Sequence, residues 1–102
     1  MSVMLTVKFP TVPAANQEKI VDDYRDTMMA IIEDAKRHGA LHHFFAEDTD
    51  GNLLVVDEWP DEESWQQFFA GQEDIMKVMA AAGATTEPTV TTYRILDTPD
   101  RF

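Results

Sequence analysis

Apolar side chains at Val3, Leu5, Val7 and Phe9 alternate with Met4, Thr6 and Lys8. A period of two predicts a strand over about residues 2–9, with Pro10 and Pro13 marking its exit. The period then lengthens. Ile20, Tyr24, Met28, Ile31 and Ala35 fall on one helical stripe, widened by Val21 and Ile32, which predicts a helix over about residues 15–38. Asn16 is its expected N-cap. Gly39 sits where a left-handed C-cap belongs, after the basic run Lys36-Arg37-His38, so His38 reads as a capping residue.

Two further strands follow, Leu41 to Glu47 and Leu53 to Trp59, joined through Asp48-Thr49-Asp50-Gly51-Asn52 as a tight antiparallel hairpin. Pro60 ends the second of them, and Asp61 is the expected N-cap of a helix with Glu62 and Glu63 in its first turn. Trp65, Phe68, Phe69, Ile75, Met76 and Met79 form the apolar side of that helix. Gly71 is expected to bend or split it, and Gly83 to close it. Pro88 opens a last β-branched strand, Thr89 to Leu96. The tail, Asp97 to Phe102, reads as irregular.

The order is β-α-β-β-α-β in one domain spanning all 102 residues. Two right-handed crossovers put both helices on one face of a four-stranded antiparallel sheet, an α+β ferredoxin-like arrangement. The other sheet face is left uncovered, although both faces are largely apolar: Leu53, Val55 and Trp59 of the third strand point one way and Leu54 and Val56 the other. A second copy of the chain, packed sheet against sheet, is the simplest cover.

Composition removes several classes of function. Nineteen acidic residues against eight Lys and Arg give a net charge of −11 and leave no basic run for a phosphate backbone or an anionic membrane surface. There is no cysteine, hence no disulfide, no thiolate nucleophile and no thiolate metal site. No apolar run is long enough to span a bilayer, and the first residues lack the form of a signal peptide, so a cytoplasmic location is expected. Four glycines form no phosphate loop, and neither serine, Ser2 or Ser64, has a neighbouring base in sequence. No His and carboxylate spacing indicates a metal site.

The stretch Asp57-Glu58-Trp59-Pro60-Asp61-Glu62-Glu63-Ser64-Trp65 and the ending Pro88-Thr89-Val90-Thr91-Thr92-Tyr93-Arg94-Ile95-Leu96, in this order of elements, resemble the dimeric α/β-barrel superfamily, and within it the antibiotic biosynthesis monooxygenase family. The resemblance covers almost the whole chain. It implies a homodimer through the open sheet face and a ligand cleft between sheet and helices. Haem-degrading members place a ligating histidine on the second helix. Residues 61–83 hold none, which argues against haem. Cofactor-free members oxidise electron-rich phenols or anthrones directly with oxygen. On that likeness no cofactor is expected. Phe44, Trp59, Trp65, Phe68 and Tyr24 would line a site for a small apolar or aromatic ligand. His42 or His43 would act as base, with Tyr93 helping to orient the ring.

Each of these residues also has a plain structural reading. His42 and His43 are adjacent on a strand, so they face opposite ways and cannot chelate one metal. Either suits proton transfer near neutrality, but strand histidines also serve simply as packed or interfacial residues. Trp65 at helical spacing from Phe68 is expected in the core, and Trp59 at a dimer contact. Asp57 and Glu58 also point to opposite faces and form no dyad with each other; Glu58 is expected to pair with Arg94 or Lys8. The two functions that survive are a cofactor-independent monooxygenase acting on an aromatic or polyketide-like compound, and a non-catalytic barrel protein that binds a small molecule or serves as a stress-response module.

Overall fold

A computed structural model describes residues 2–102. The elements are β1 (Val3–Pro13), α1 (Ala14–Arg37), β2 (His42–Glu47), β3 (Asn52–Trp59), α2 (Glu62–Gly71), α3 (Asp74–Ala81) and β4 (Thr89–Arg94). The four strands form one antiparallel sheet in the order β2-β3-β1-β4. This is the ferredoxin-like arrangement, with the helices on one face.

Local chemistry explains the boundaries. Strand β1 runs four residues beyond Phe9, to Pro13. The register jumps from Phe9 opposite Leu53 to Pro13 opposite Asn52, so the intervening residues form an irregularity. The two prolines lack an N–H and break the ladder there, yet Val12 between them is fully buried and ties the segment to the core. Helix α1 starts two residues before the expected cap. Asn16 lies inside it and donates through Nδ2 to the Ala82 carbonyl at 2.9 Å, tethering α1 to the end of α3. Gly39 takes φ +102° just past the His38 C-cap, and His38 Nδ1 lies 2.9 Å from the Asp34 carbonyl. Asp61 caps α2, its Oδ1 accepting from the Ser64 N–H at 2.8 Å. The expected second helix is two helices, α2 and α3, parted directly after Gly71.

Two apolar clusters lie between sheet and helices. One gathers Val7, Phe9, Leu53 and Val55 of the sheet against Val78 and Met79 of α3. The other gathers Leu5, Ala35, Trp59 and Phe68. Ile31 and Ile75 pack on both. Gln17, on the same stripe of α1, is buried, and its Oε1 has no hydrogen-bond partner among the described residues. No helix among the described residues is long and apolar enough to cross a membrane.

Candidate active site

The hairpin between β2 and β3 sets the site. Its turn is locked by Asp48, whose Oδ1 accepts from the backbone N–H groups of Asp50 at 2.9 Å and Asn52 at 3.0 Å. The Asn52 N–H, ahead of the other contacts, holds the Asp48 carboxyl below the ordinary carboxylate range. Gly51 supplies the positive φ, +82°, that the turn requires. The turn fixes Glu47 opposite Leu53, and the ladder then places His43 opposite Asp57 and His42 opposite Glu58.

Alternation decides which pair meets the helices. Leu53, Val55 and Trp59 are buried beneath the helices, so Asp57 shares their face, and His43 opposite it does too. His43 Nδ1 lies 2.6 Å from Asp57 Oδ1. The Trp59 indole N–H donates to the other carboxylate oxygen, Oδ2, at 3.3 Å. The Phe45 ring meets the imidazole edge-on at 5.3 Å. An ionised carboxylate can only accept, so with Asp57 ionised a neutral His43 ring would carry its hydrogen on Nδ1 and leave Nε2 as the basic nitrogen. The pair sits at the rim of the helix-covered face: the His43 side chain is 29% exposed and that of Asp57 12%.

The pair opens onto a cavity of about 110 Å³ at the seam between the two apolar clusters. Val7, Phe9 and Val55 form its floor. Trp59, Trp65 and Phe68 form its aromatic side, with Trp65 stacked on Phe69 at 5.5 Å and Trp59 tilted against Phe68 at 5.3 Å. Met28 and Met76 contribute flexible wall from the helices, and Met79, buried in the core, a fixed one. His43 and Asp57 are the titratable residues that line it.

Of the residues singled out in the sequence, His43, Trp59, Trp65 and Phe68 meet here. His42, Phe44 and Tyr93 do not join them. The ladder aligns His42, Glu58, Met4 and Tyr93 in one row across the opposite, open face, and Phe44 lies on that face one step along the strand pair. Phe44 is 54% exposed and Tyr93 47%. Tyr24 packs half-buried against the first apolar cluster without lining the cavity. Trp59 is not an exposed contact residue: it is fully buried within the chain. On the open face the His42 side chain is 72% exposed and its Nδ1 lies 2.8 Å from Glu58 Oε1, while Arg101 of the tail donates to Glu58 Oε2 at 2.6 Å. Glu58 therefore binds His42 and Arg101, and Lys8 pairs instead with Asp48 at 3.6 Å. A hydrogen bond from Ser2 is the largest cause holding the Glu58 carboxyl below its ordinary range, with His42 and Arg101 adding to it against the cost of burial.

Similar solved structures span the whole chain. The ActVA-Orf6 monooxygenase of Streptomyces coelicolor, in complex with nanaomycin D, superposes with a TM-score of 0.63 at 20% identity, covering 95% of this chain and 93% of that one. SnoaB, a cofactor-independent oxygenase from Streptomyces nogalater, gives a TM-score of 0.60 at 12% identity, covering 98% and 97%. The fold is that of the antibiotic biosynthesis monooxygenases. Rv0793 from Mycobacterium tuberculosis gives a TM-score of 0.61 at 18% identity over 97% of this chain and 99% of that one. No protein-family model matches the sequence, and no curated protein does. At these identities the likeness to the antibiotic biosynthesis monooxygenases is one of fold.

The contribution of Asp57 was missed in the sequence because it was weighed only against its neighbour Glu58. The signal lay across the hairpin: a turn that sets 47 opposite 53 also sets 43 opposite 57.

Proposed function

We propose that the cavity receives a small aromatic compound through its hydroxyl group and that His43, oriented by Asp57, is the base that removes the hydroxyl proton. The observation that carries this reading is the 2.6 Å contact between His43 Nδ1 and Asp57 Oδ1 at the polar end of an otherwise apolar cavity. Asp57 holds the imidazole by its Nδ1–H and the Trp59 indole steadies Asp57 from the other side. A hydroxyl proton passes to Nε2, and the imidazolium formed lies beside the Asp57 carboxylate, which stabilises it. The apolar walls keep water from the developing aromatic anion.

Where the ring is electron-rich, that anion reduces dioxygen, the co-reactant. One oxygen atom bonds to a ring carbon and becomes a second carbonyl. The phenol gives up its O–H hydrogen and one ring C–H hydrogen, and the other oxygen atom leaves with both as water. The reading agrees with the monooxygenase and cofactor-independent oxygenase activities named for structures of the same fold.

A non-catalytic barrel protein, binding a small molecule or using these aromatics only as core, is the second reading. A cavity of about 110 Å³, below the roughly 300–1,000 Å³ usual for ligand sites, favours the version in which its Met and Phe side chains fill the cleft. Oxygen uptake with labelled dioxygen separates the two. Wild-type protein is expected to place one labelled atom in an electron-rich phenol, and His43→Gln to lose about 10²–10⁴-fold in rate. Binding with no uptake by any phenol tested would leave the second reading.

We also propose that two copies pair through the open sheet face, where Met4, Leu54, Val56, Phe44 and Tyr93 lie together. Light scattering after size exclusion is expected to give twice the chain mass, and Val56→Asp to give the single chain. A wild-type monomer would refute the pairing.

A further inference from the structure

The lining of the cavity restricts its ligand more narrowly than the fold does. Its polar end consists of His43 and Asp57, and among the described residues no Lys or Arg lines it. An anionic group carried in from water would lose its hydration beside the Asp57 carboxylate with no cation to receive it, in a chain whose net charge is −11. A neutral hydroxyl avoids that cost. It enters uncharged, and charge appears only as its proton moves to His43, where both ions of the resulting pair are already in contact.

Size narrows the choice again. The cavity is about 110 Å³, smaller than an apolar cavity of about 150 Å³ that accommodates benzene, so even a single ring must displace part of the wall. Val55, Trp59, Phe68, Val78 and Met79 are buried core residues, so these walls cannot withdraw without opening the core. Met76 is exposed and Met28 half-buried, so the cavity can extend past these two flexible side chains. Their displacement makes room for one ring with a short alkyl arm, whereas a second or third fused ring would press into the fixed walls.

We infer that the cavity takes an uncharged single-ring phenol with one hydroxyl, an alkyl substituent and no carboxylate or phosphate. The inference rests on the reading of His43 as the group that meets the hydroxyl.

Calorimetric titration of the full chain at about pH 8 tests it. The probes are para-ethylphenol, para-hydroxybenzoate, ethylbenzene and anthrone, and the methionine methyl resonances locate the bound ligand. Para-ethylphenol is expected to bind at the Met28 and Met79 methyls at least about tenfold more tightly than each of the others. His43→Gln is expected to remove its advantage over ethylbenzene. Any one of the other three probes equalling para-ethylphenol overturns the inference, as does no binding by para-ethylphenol. Lost selectivity with oxygen uptake intact defeats the ligand class alone. Intact selectivity with no uptake by any phenol of that class defeats the catalytic reading alone.

Discussion

His43 and Asp57 face each other across the β2–β3 hairpin with 2.6 Å between Nδ1 and Oδ1, and one register step away His42 and Glu58 repeat the contact at 2.8 Å on the opposite face. The same pairing of residue types thus occurs in two environments. The first lies at the rim of an apolar cavity and the second, with its imidazole far more exposed, beside the tail. Asp57→Asn tests what the first carboxylate does. An amide can donate to Nδ1 and so release the imidazole from its productive tautomer. Turnover of a phenol is expected to fall by about 10²–10⁴-fold in kcat with little change in KM. Steady-state kinetics on both proteins checks this.

The two tryptophans are expected to separate stability from binding. Trp59 is fully buried, so Trp59→Ala should cost about 3–5 kcal/mol in urea unfolding. Trp65 is half-buried on α2 and lines the cavity, so Trp65→Ala should cost only about 1 kcal/mol. Its loss should weaken para-ethylphenol binding by up to about tenfold, the worth of one aromatic contact. Equal losses of stability would place both rings in the core alone.

The contacts of Glu58 set a pH dependence with a defined sign. Its folded pKa is lowered, first by the Ser2 hydrogen bond and then by His42 and Arg101, so folding favours the ionised carboxylate. The stabilisation is complete above the ordinary glutamate value of about 4.3 and is lost as pH falls through the lowered folded value. Denaturation midpoints of the wild type and Glu58→Gln are therefore expected to differ most above about pH 5 and to converge as pH falls below the ordinary glutamate value. A gap that stays constant over that range would count against this role.

Two glycines that look alike in the sequence should respond oppositely to alanine. Gly39 has φ +102°, and an added Cβ would lie 3.3 Å from Pro60 Cγ, so Gly39→Ala should destabilise by about 1–2 kcal/mol. Gly71 ends α2 with nothing within 4 Å of such a Cβ, and Gly71→Ala should be neutral or stabilising by up to about 1 kcal/mol. Chemical unfolding of the two variants measures the contrast.

Much of this fold was legible because single residues act locally. Asp61 caps α2, Gly71 ends it, and the Asp48–Asn52 turn makes the hairpin, all by short-range chemistry. The opposed directions of His42 and His43 followed from the period of a strand alone. Which of the two the helices cover did not follow, since both sheet faces are apolar in sequence and only helix packing distinguishes them. For the same reason Phe44 and Tyr93 were placed with His43 although the ladder sets them on the other face. The Arg101–Glu58 contact joins residues 43 positions apart through an irregular tail, and no periodicity encodes it. Asn16 was assigned to a helix end by residue type, whereas its partner is a carbonyl at the end of a distant helix.

The nitrogen-15 resonances of the His43 ring, assigned by their loss in His43→Gln, test the proposed base most directly. At about pH 8 the free protein is expected to carry hydrogen on Nδ1 and a bare Nε2, and saturating para-ethylphenol should shift the Nε2 resonance while Nδ1 stays protonated. Hydrogen on Nε2 in the free protein, or an Nε2 resonance unmoved by bound phenol, would contradict the assignment of His43 as the base.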